Sequence, residues 1–504
     1  MAVKIILLIL FFGVMMGIGV YARKHATDVN GFVLGGRSVG PWLTAFAYGT
    51  SYFSAVVFVG YAGQFGYKYG LASTWIGIGN AVLGSLVAWV VLGRRTRIMS
   101  KHLGSMTMPD FFGKRYDSQS LRIAASVIAF IFLIPYTASV YNGLSYLFGM
   151  AFDVDFRICV VVMAVLTGVY VIIGGYMATA WNDLIQGIIM LFGIVAVIAA
   201  VLSGHGGFMA AVKELAQVPS SVMPGAYASF LGPDPANLFG VVILTSLGTW
   251  GLPQMIQKFY AIKDEKAVHT GTIISTLFAI VVSGGCYFLG GFSRISGVKE
   301  AVDGTVKYDT IIPTMLSSLP DILIGIVIVL VLSASMSTLS SLVLTSSSTL
   351  TLDFIKPLFV KKMNEKQQLV WMRVLLAGFI LISVVIALDP PAFIAQLMGI
   401  SWGALAGAFL APFLYGLYWK GVTRAAVWAS FICGVGITVA NMFFRFIASS
   451  INAGAFAMVA GLVIVPVVSL ISPKLKKETV EDVFHCLEEK VMVEQKLALP
   501  EEEE

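Results

Sequence analysis

The stretch Ser333–Ser341, SASMSTLSS, carries six hydroxyls in nine residues directly after the apolar run DILIGIVIVLVL. Ser333, Ser337, Ser340 and Ser341 recur at steps of three and four, with Thr338 beside Ser337, so one helix face presents a column of small oxygens. A hard alkali cation takes several neutral or anionic oxygens. Hydroxyls and backbone carbonyls supply them without placing a carboxylate in hydrocarbon. The same spacing also fits a packing seam in which each hydroxyl bonds back to a carbonyl one turn earlier. Spacing alone leaves both readings open.

Two further stretches could expose backbone oxygens at membrane depth: Ala47–Ala55, AYGTSYFSA, and Thr245–Pro253, TSLGTWGLP. Proline removes a backbone donor and glycine loosens a helix, so the second stretch is an expected unwinding point. In membrane carriers, helices broken in this way free carbonyls and helix ends to hold ions and polar solutes. Close packing through small residues is the competing reading of each stretch.

Other chemistry finds little support. The five histidines, His25, His102, His205, His269 and His485, fall in expected loops or the tail, without a metal-ligand spacing. Cys159, Cys286, Cys433 and Cys486 are scattered, which points to neither a disulfide framework nor a zinc site. There is no GxxxxGK[ST] phosphate loop, and no nucleophile with an evident base. The expectation is a protein that is not an enzyme and uses no organic cofactor.

The elements that would position these oxygens are membrane helices. The chain has 504 residues, 58% hydrophobic and 12% charged, where a soluble domain has roughly 25% charged. Apolar runs recur from Ile5–Tyr21 to Ala455–Ile471 and predict about thirteen spans, among them a second at Trp42–Phe65, a sixth at Leu184–Leu202, a seventh at Leu238–Tyr260 and a ninth at Ile322–Leu350. Basic residues gather in alternate loops: Arg94, Arg95, Arg97 and Lys101, then Lys258, Lys263 and Lys266, then Lys356, Lys361, Lys362 and Lys366. The opposite loops hold few, such as Lys68 and Arg445, which predicts an N-terminus outside and a C-terminus in the cytoplasm. The net charge of +6 is therefore a topology signal in a bilayer protein, with no nucleic-acid partner expected. Beyond the last span, Val480, Val483, Phe484, Leu487 and Val491 predict a cytosolic amphipathic helix starting at Thr479-x-x-Asp482, followed by four terminal glutamates. Gly13-x-x-x-Gly17 permits helix contact in the first span but leaves the oligomeric state open.

The landmarks LGGRSVGPWLTAFAYGTSYFSA, IIGGYMATAWNDLIQG, GLPQMIQKFYAIKDEKAVHTG and SASMSTLSS together resemble the sodium/solute symporter family through most of the chain. The resemblance implies an all-α integral membrane protein of thirteen transmembrane helices in a plasma (inner) membrane. Its LeuT-like core would consist of two five-helix inverted repeats working by alternating access. The implied division is 1–40 for the first helix and its loop, 41–235 and 236–420 for the repeats, 421–473 for the last two spans, and 474–504 for the acidic tail. It implies Na+ as coupling ion, held by the carbonyls of Thr50, Phe53 and Ala334 and the hydroxyls of Ser337 and Thr338. The solute would lie beside it against Ser51, Tyr52, Ser54, Thr245, Thr249, Trp250 and Tyr136. Asp183, expected at the start of the sixth span, is either a carboxylate on a helix dipole or a group that assists sodium release. Proline carriers of the family have an acid where this chain has Tyr52, and aromatic residues where it has Thr245 and Thr249. TSYFSA, YKYGL and LYGLYWKG look closer to pantothenate and monocarboxylate permeases, so a small organic anion is the first expectation and an amino acid the second.

Overall fold

In the computed structural model, residues 2–152, 154–297, 306–389 and 393–498 are described, and the elements they form are helices joined by turns. The four terminal glutamates and the side chain of Val491 lie outside the described set. Among the described residues, ten helices are long and apolar enough to cross a membrane, or eleven when the bent pair Pro235–Gly251 and Pro253–Ala261 is taken as one span. This differs from the thirteen expected, for reasons visible in the backbone. Pro41–Tyr52 is a helix of only 12 residues. Val56–His102 runs for 47 residues and takes in both the end of the expected second span and all of the third. Gly70 lies within it at φ +60°, where a side chain would meet the Tyr227 carbonyl oxygen. Phe156–Gly204 likewise runs for 49 residues across a kink at Gly175, φ +55°.

Burial orders the helices from the inside out. The hydropathic window of Ile394–Tyr418 is 89% buried and that of Asp321–Leu358 is 78% buried, whereas Lys4–Ala22 is 22% buried. The serine-rich helix Asp321–Thr349 is therefore central: Ser333 through Thr349 are all buried. It packs against Phe156–Gly204, Gln119–Phe152 and Pro41–Tyr52. Glycine makes the closest approaches. A Cβ on Gly66 would lie 2.1 Å from the backbone of Gly290.

Two helices stop inside this packing. Pro41 opens Pro41–Tyr52 at its first turn. That helix ends where Phe53 takes φ −106° and ψ 82°, and the Ser54 hydroxyl then accepts from Val56 N at 3.1 Å, as a helix cap does. The second break follows Gly248–Gly251: Leu252 is extended at ψ 121°, as a residue before proline prefers, and the axis bends by 48°.

The tail forms a helix over Lys477–Ala498, two residues earlier than its sequence start signal. Its Val480, Val483 and Phe484 are buried, with Phe484 under the guanidinium of Arg115 at 5.0 Å. His102 Nε2 meets the Asp482 carbonyl oxygen at 2.9 Å.

Candidate functional site

The break at Phe53 lies against the serine-rich helix. The ladder of Pro41–Tyr52 closes with Phe53 N donating to Gly49 O at 3.0 Å and resumes with Val57 N donating to Ser54 O at 3.0 Å. Across the gap, the Thr338 hydroxyl lies 3.2 Å from Thr50 O, 3.3 Å from Ser51 O and 3.1 Å from Ala334 O. One hydroxyl proton cannot satisfy three carbonyls, so lone pairs remain directed into this junction. The Ser337 hydroxyl beside it is fully buried and has no hydrogen-bond partner among the described residues.

The rest of the hydroxyl column separates into two roles. Ser333 and Ser335 donate back to Val329 O and Val331 O at 2.7 and 2.6 Å, and Ser340 donates to Ser337 O at 2.8 Å, which is the packing-seam pattern. Ser341 instead faces the broken helix, its hydroxyl 2.7 Å from that of Ser51. Thr50, Ala334 and Thr338 are therefore joined by contact, with Ser337 adjacent. The contacts that join Thr338 to the break run to Thr50 and Ser51 rather than to Phe53, whose ring stacks on Tyr52 with centroids 4.2 Å apart.

The seven expected wall residues are all buried. Tyr52 joins the two broken helices by donating its hydroxyl to Thr245 O at 2.5 Å. Thr249 donates to Gly84 O at 3.2 Å and Trp250 Nε1 to Leu83 O at 3.0 Å. Trp402 was not anticipated from the sequence; it packs between Tyr52, at a centroid distance of 6.1 Å, and Tyr136, at 5.8 Å. The Tyr136 hydroxyl has no hydrogen-bond partner among the described residues. The Ser54 hydroxyl accepts from Val56 N and keeps its own proton to donate, and Thr245 bonds back to Val241 O at 2.9 Å.

Asp183 departs from its expected setting. It does not begin a helix: the kink lies earlier, at Gly175, and Asp183 sits inside the continuing helix, fully buried. The helix-dipole reading therefore fails, because a terminal field fades within the first turn. Its neighbour is Lys258, with Nζ 3.8 Å from Asp183 Oδ2. The pattern of basic residues places Lys258 in a cytoplasmic loop. It is instead 2% exposed, in Pro253–Ala261, and donates to the Ser341 hydroxyl at 2.9 Å. The sequence carried a signal for this, since Lys258 falls inside the expected seventh span, where an ammonium needs a partner. One residue earlier, Gln257 donates to Val33 O at 2.8 Å and accepts from the Thr345 hydroxyl at 2.6 Å.

Three comparisons bear on this arrangement. A family model described as the sodium:solute symporter family matches residues 32–434. A sodium/proline symporter of Staphylococcus aureus (strain JH9) is 28% identical over 486 residues, covering 94% of this chain and 93% of the relative, and one from strain COL matches equally. Among solved structures, a Na+-coupled sialic acid symporter in a substrate-bound outward-open state superposes with a TM-score of 0.74 at 15% identity, over 94% of this chain and 99% of the other. A nucleobase-cation-symport-1 family transporter in a closed conformation superposes with a TM-score of 0.56 at 13% identity, over 90% of this chain and 97% of the other. The structural likenesses establish a shared fold.

Proposed function

The chain belongs to the sodium:solute symporter family, a family of transporters, and we propose that it imports a small organic anion together with sodium by alternating access. The observation that carries this reading is the junction of Thr338 with the freed carbonyls of Thr50 and Ser51, beside the unpartnered hydroxyl of Ser337. Sodium would be held there by Thr50, Ala334, Ser337 and Thr338, with Phe53 supplying a further carbonyl. Neutral oxygens suit an ion that must also leave.

The solute would occupy the space between the breaks, against Ser51, Tyr52, Ser54, Tyr136, Thr245, Thr249 and Trp250. None of the seven is acidic, which favours an anion over a solute bearing an ammonium group. The second reading, a sodium/proline symporter, is favoured by the names of the Staphylococcus aureus relatives. Both solutes carry a carboxylate, and hydroxyl donors serve either.

With Gly70 and Gly175 as the places where two long runs each divide, the chain would cross the membrane thirteen times. Two inverted repeats would lie within 41–420, with the N-terminus outside and the tail in the cytoplasm. A potential of 100 mV is worth about 2.3 kcal/mol per charge and each tenfold sodium gradient about 1.4 kcal/mol. One sodium with a neutral solute therefore sustains accumulation on the order of 500-fold, and one sodium with a monoanion roughly the sodium ratio alone.

The test is uptake of radiolabelled pantothenate, acetate, pyruvate and proline into proteoliposomes, with and without an inward sodium gradient. Sodium-driven accumulation of one of the first three is the expected result. Accumulation of proline alone selects the second reading, and flux of solute indifferent to sodium overturns both.

A further inference from the structure

The tail helix has no part in the function described so far. Lys477–Ala498 lies beyond the last span, yet its Val480, Val483, Phe484 and Cys486 are buried, with Phe484 4% exposed and Val483 1%. A helix free in water would expose them. It packs against Arg94–His102, and its contacts fall on two groups of elements.

The first group gathers the ends of both broken spans. His102 Nε2 meets the Asp482 carbonyl oxygen at 2.9 Å, and His102 closes the helix Arg94–His102. From the same helix Arg97 donates to the carbonyl oxygens of Ile262, of Lys263 at 3.2 Å and of Arg37 at 3.4 Å. Those acceptors lie just after Pro253–Ala261 and just before Pro41–Tyr52. The two segments are also laced together, Val39 N donating to Ala261 O at 3.2 Å and Lys263 N to Val39 O at 3.0 Å. What moves this group therefore moves both broken helices.

The second group is the end of Ile394–Tyr418 with its neighbour Met108–Arg115. Phe484 lies under the Arg115 guanidinium at 5.0 Å and the Lys420 ammonium at 5.6 Å. Arg115 is fully buried and donates to Gly416 O at 2.9 Å and Trp419 O at 3.1 Å, so this seat is fixed to the end of that helix. The two groups meet along a polar seam, where Arg95 donates to Leu417 O at 2.9 Å and Tyr418 to Val91 O at 2.6 Å. The tail helix lies across that seam, bonded to one side through Asp482 and seated on the other through Phe484.

We propose that the tail helix is a strap over the cytoplasmic seam and acts as a built-in brake on inward opening. The inference rests on the reading of the chain as an alternating-access carrier with this face in the cytoplasm. Parting the two groups pulls Phe484 from its two cations and returns Val483 and Phe484 to water, so the strap lowers the population of the inward-open state.

The test measures opening directly, without a solute. Thr345 is 3% exposed and its hydroxyl donates to Gln257 of Pro253–Ala261, so a thiol placed there by Thr345→Cys reacts with a maleimide when these helices part. Gln64→Cys, at a buried position lining the cavity at the other face, reports general loosening. Each is made in the full-length chain with its four native cysteines replaced by alanine. Adding Val483→Ala with Phe484→Ala should speed alkylation at 345 at least about fivefold, the effect of losing one partly buried cation–aromatic contact, and leave alkylation at 64 no faster. An unchanged rate at 345 overturns the proposal. Acceleration at both positions overturns it too, since the tail would then be structural support alone. Failure of the underlying reading is separate: neither the parent nor the tail variant would show sodium-driven uptake, whatever the alkylation rates.

Discussion

The Thr338 hydroxyl oxygen lies 3.2 Å from the carbonyl oxygen of Thr50, across an interface where the Pro41–Tyr52 helix has stopped making its own ladder. The two residues are 288 positions apart in the chain, so the contact is made only by the fold. It brings one half of the broken helix to the most oxygen-rich part of the central one. Replacing Ser337 and Thr338 by alanine removes two proposed ligands, and an interaction with a charged partner is worth about 1.5–3 kcal/mol. Each single substitution should therefore raise the sodium concentration for half-maximal uptake by roughly ten- to a hundredfold, with folded protein still in the membrane. Wild-type sodium dependence in the double variant would remove the junction from consideration as an ion site.

Tyr136 tests the solute side separately. Its hydroxyl is buried without a hydrogen-bond partner among the described residues, and its ring packs edge-on against Trp402. Tyr136→Phe deletes an unsatisfied group, so thermal stability should be unchanged or slightly higher. If that hydroxyl meets the solute, the KM for solute rises about tenfold, consistent with a hydrogen bond of ~1.4 kcal/mol, while the sodium requirement stays as it was. An unchanged solute KM would reduce Tyr136 to a packing residue.

Much of this arrangement is legible in the sequence. Apolar runs separated by basic loops carry the helices, because hydrocarbon forces every spanning backbone to satisfy itself. The break at Leu252 was readable from Gly248, Gly251 and Pro253, each with a direct effect on the backbone. The break at Phe53 was harder to place to the residue. No proline marks it, and the chain is held there by groups distant in sequence: the Ser341 hydroxyl against that of Ser51, and the Thr245 carbonyl oxygen accepting from the Tyr52 hydroxyl. The Asp183–Lys258 pair was missed for a related reason. The two residues are distant in sequence, Asp183 reads as the start of a span and Lys258 as part of a basic loop, and only the packed helices reveal that each is the other's counter-charge. Gly70 and Gly175 divide long helical runs by positive φ, which composition does not distinguish from glycine used for packing.

Gly66 offers a prediction about that packing. A Cβ there would lie 2.1 Å from the Gly290 carbonyl carbon and oxygen, and a Cβ added to Gly290 would lie equally close to Ala62 O. Backbone cannot swing aside as a side-chain end does, so Gly66→Ala should force the helices Ala62–Tyr69 and Glu265–Gly290 apart. The expected loss is about 2–3 kcal/mol, the upper part of the overpacking range. Gly378→Ala is the control, because a Cβ there meets nothing within 4 Å. Thermal unfolding in detergent should lower the midpoint for the first variant and leave the second near wild type; equal midpoints would refute the close approach.

Asp309 gives a pH dependence whose sign is fixed by its surroundings. It lies in the short turn Tyr308–Thr310 outside the long apolar helices, 5% exposed, and accepts from Ile394 N at 3.2 Å with one oxygen. Burial pushes its carboxyl up to about 6 from an ordinary value of 3.8, against the smaller opposing effect of the Ile394 N–H. The folded protein therefore holds this proton more tightly than the unfolded chain. The stability it contributes is fully present below about pH 4, falls as pH rises to about 6, and then stays level. Asp309→Asn keeps an acceptor for Ile394 N and never ionises, so it should lose this component of the pH slope. Relative to wild type, the variant should gain on the order of 2 kcal/mol between pH 4 and pH 7, read as a melting-temperature difference that grows over that interval and then plateaus. A difference that is constant with pH would mean that the Asp309 carboxyl is not held in its protonated form by the fold.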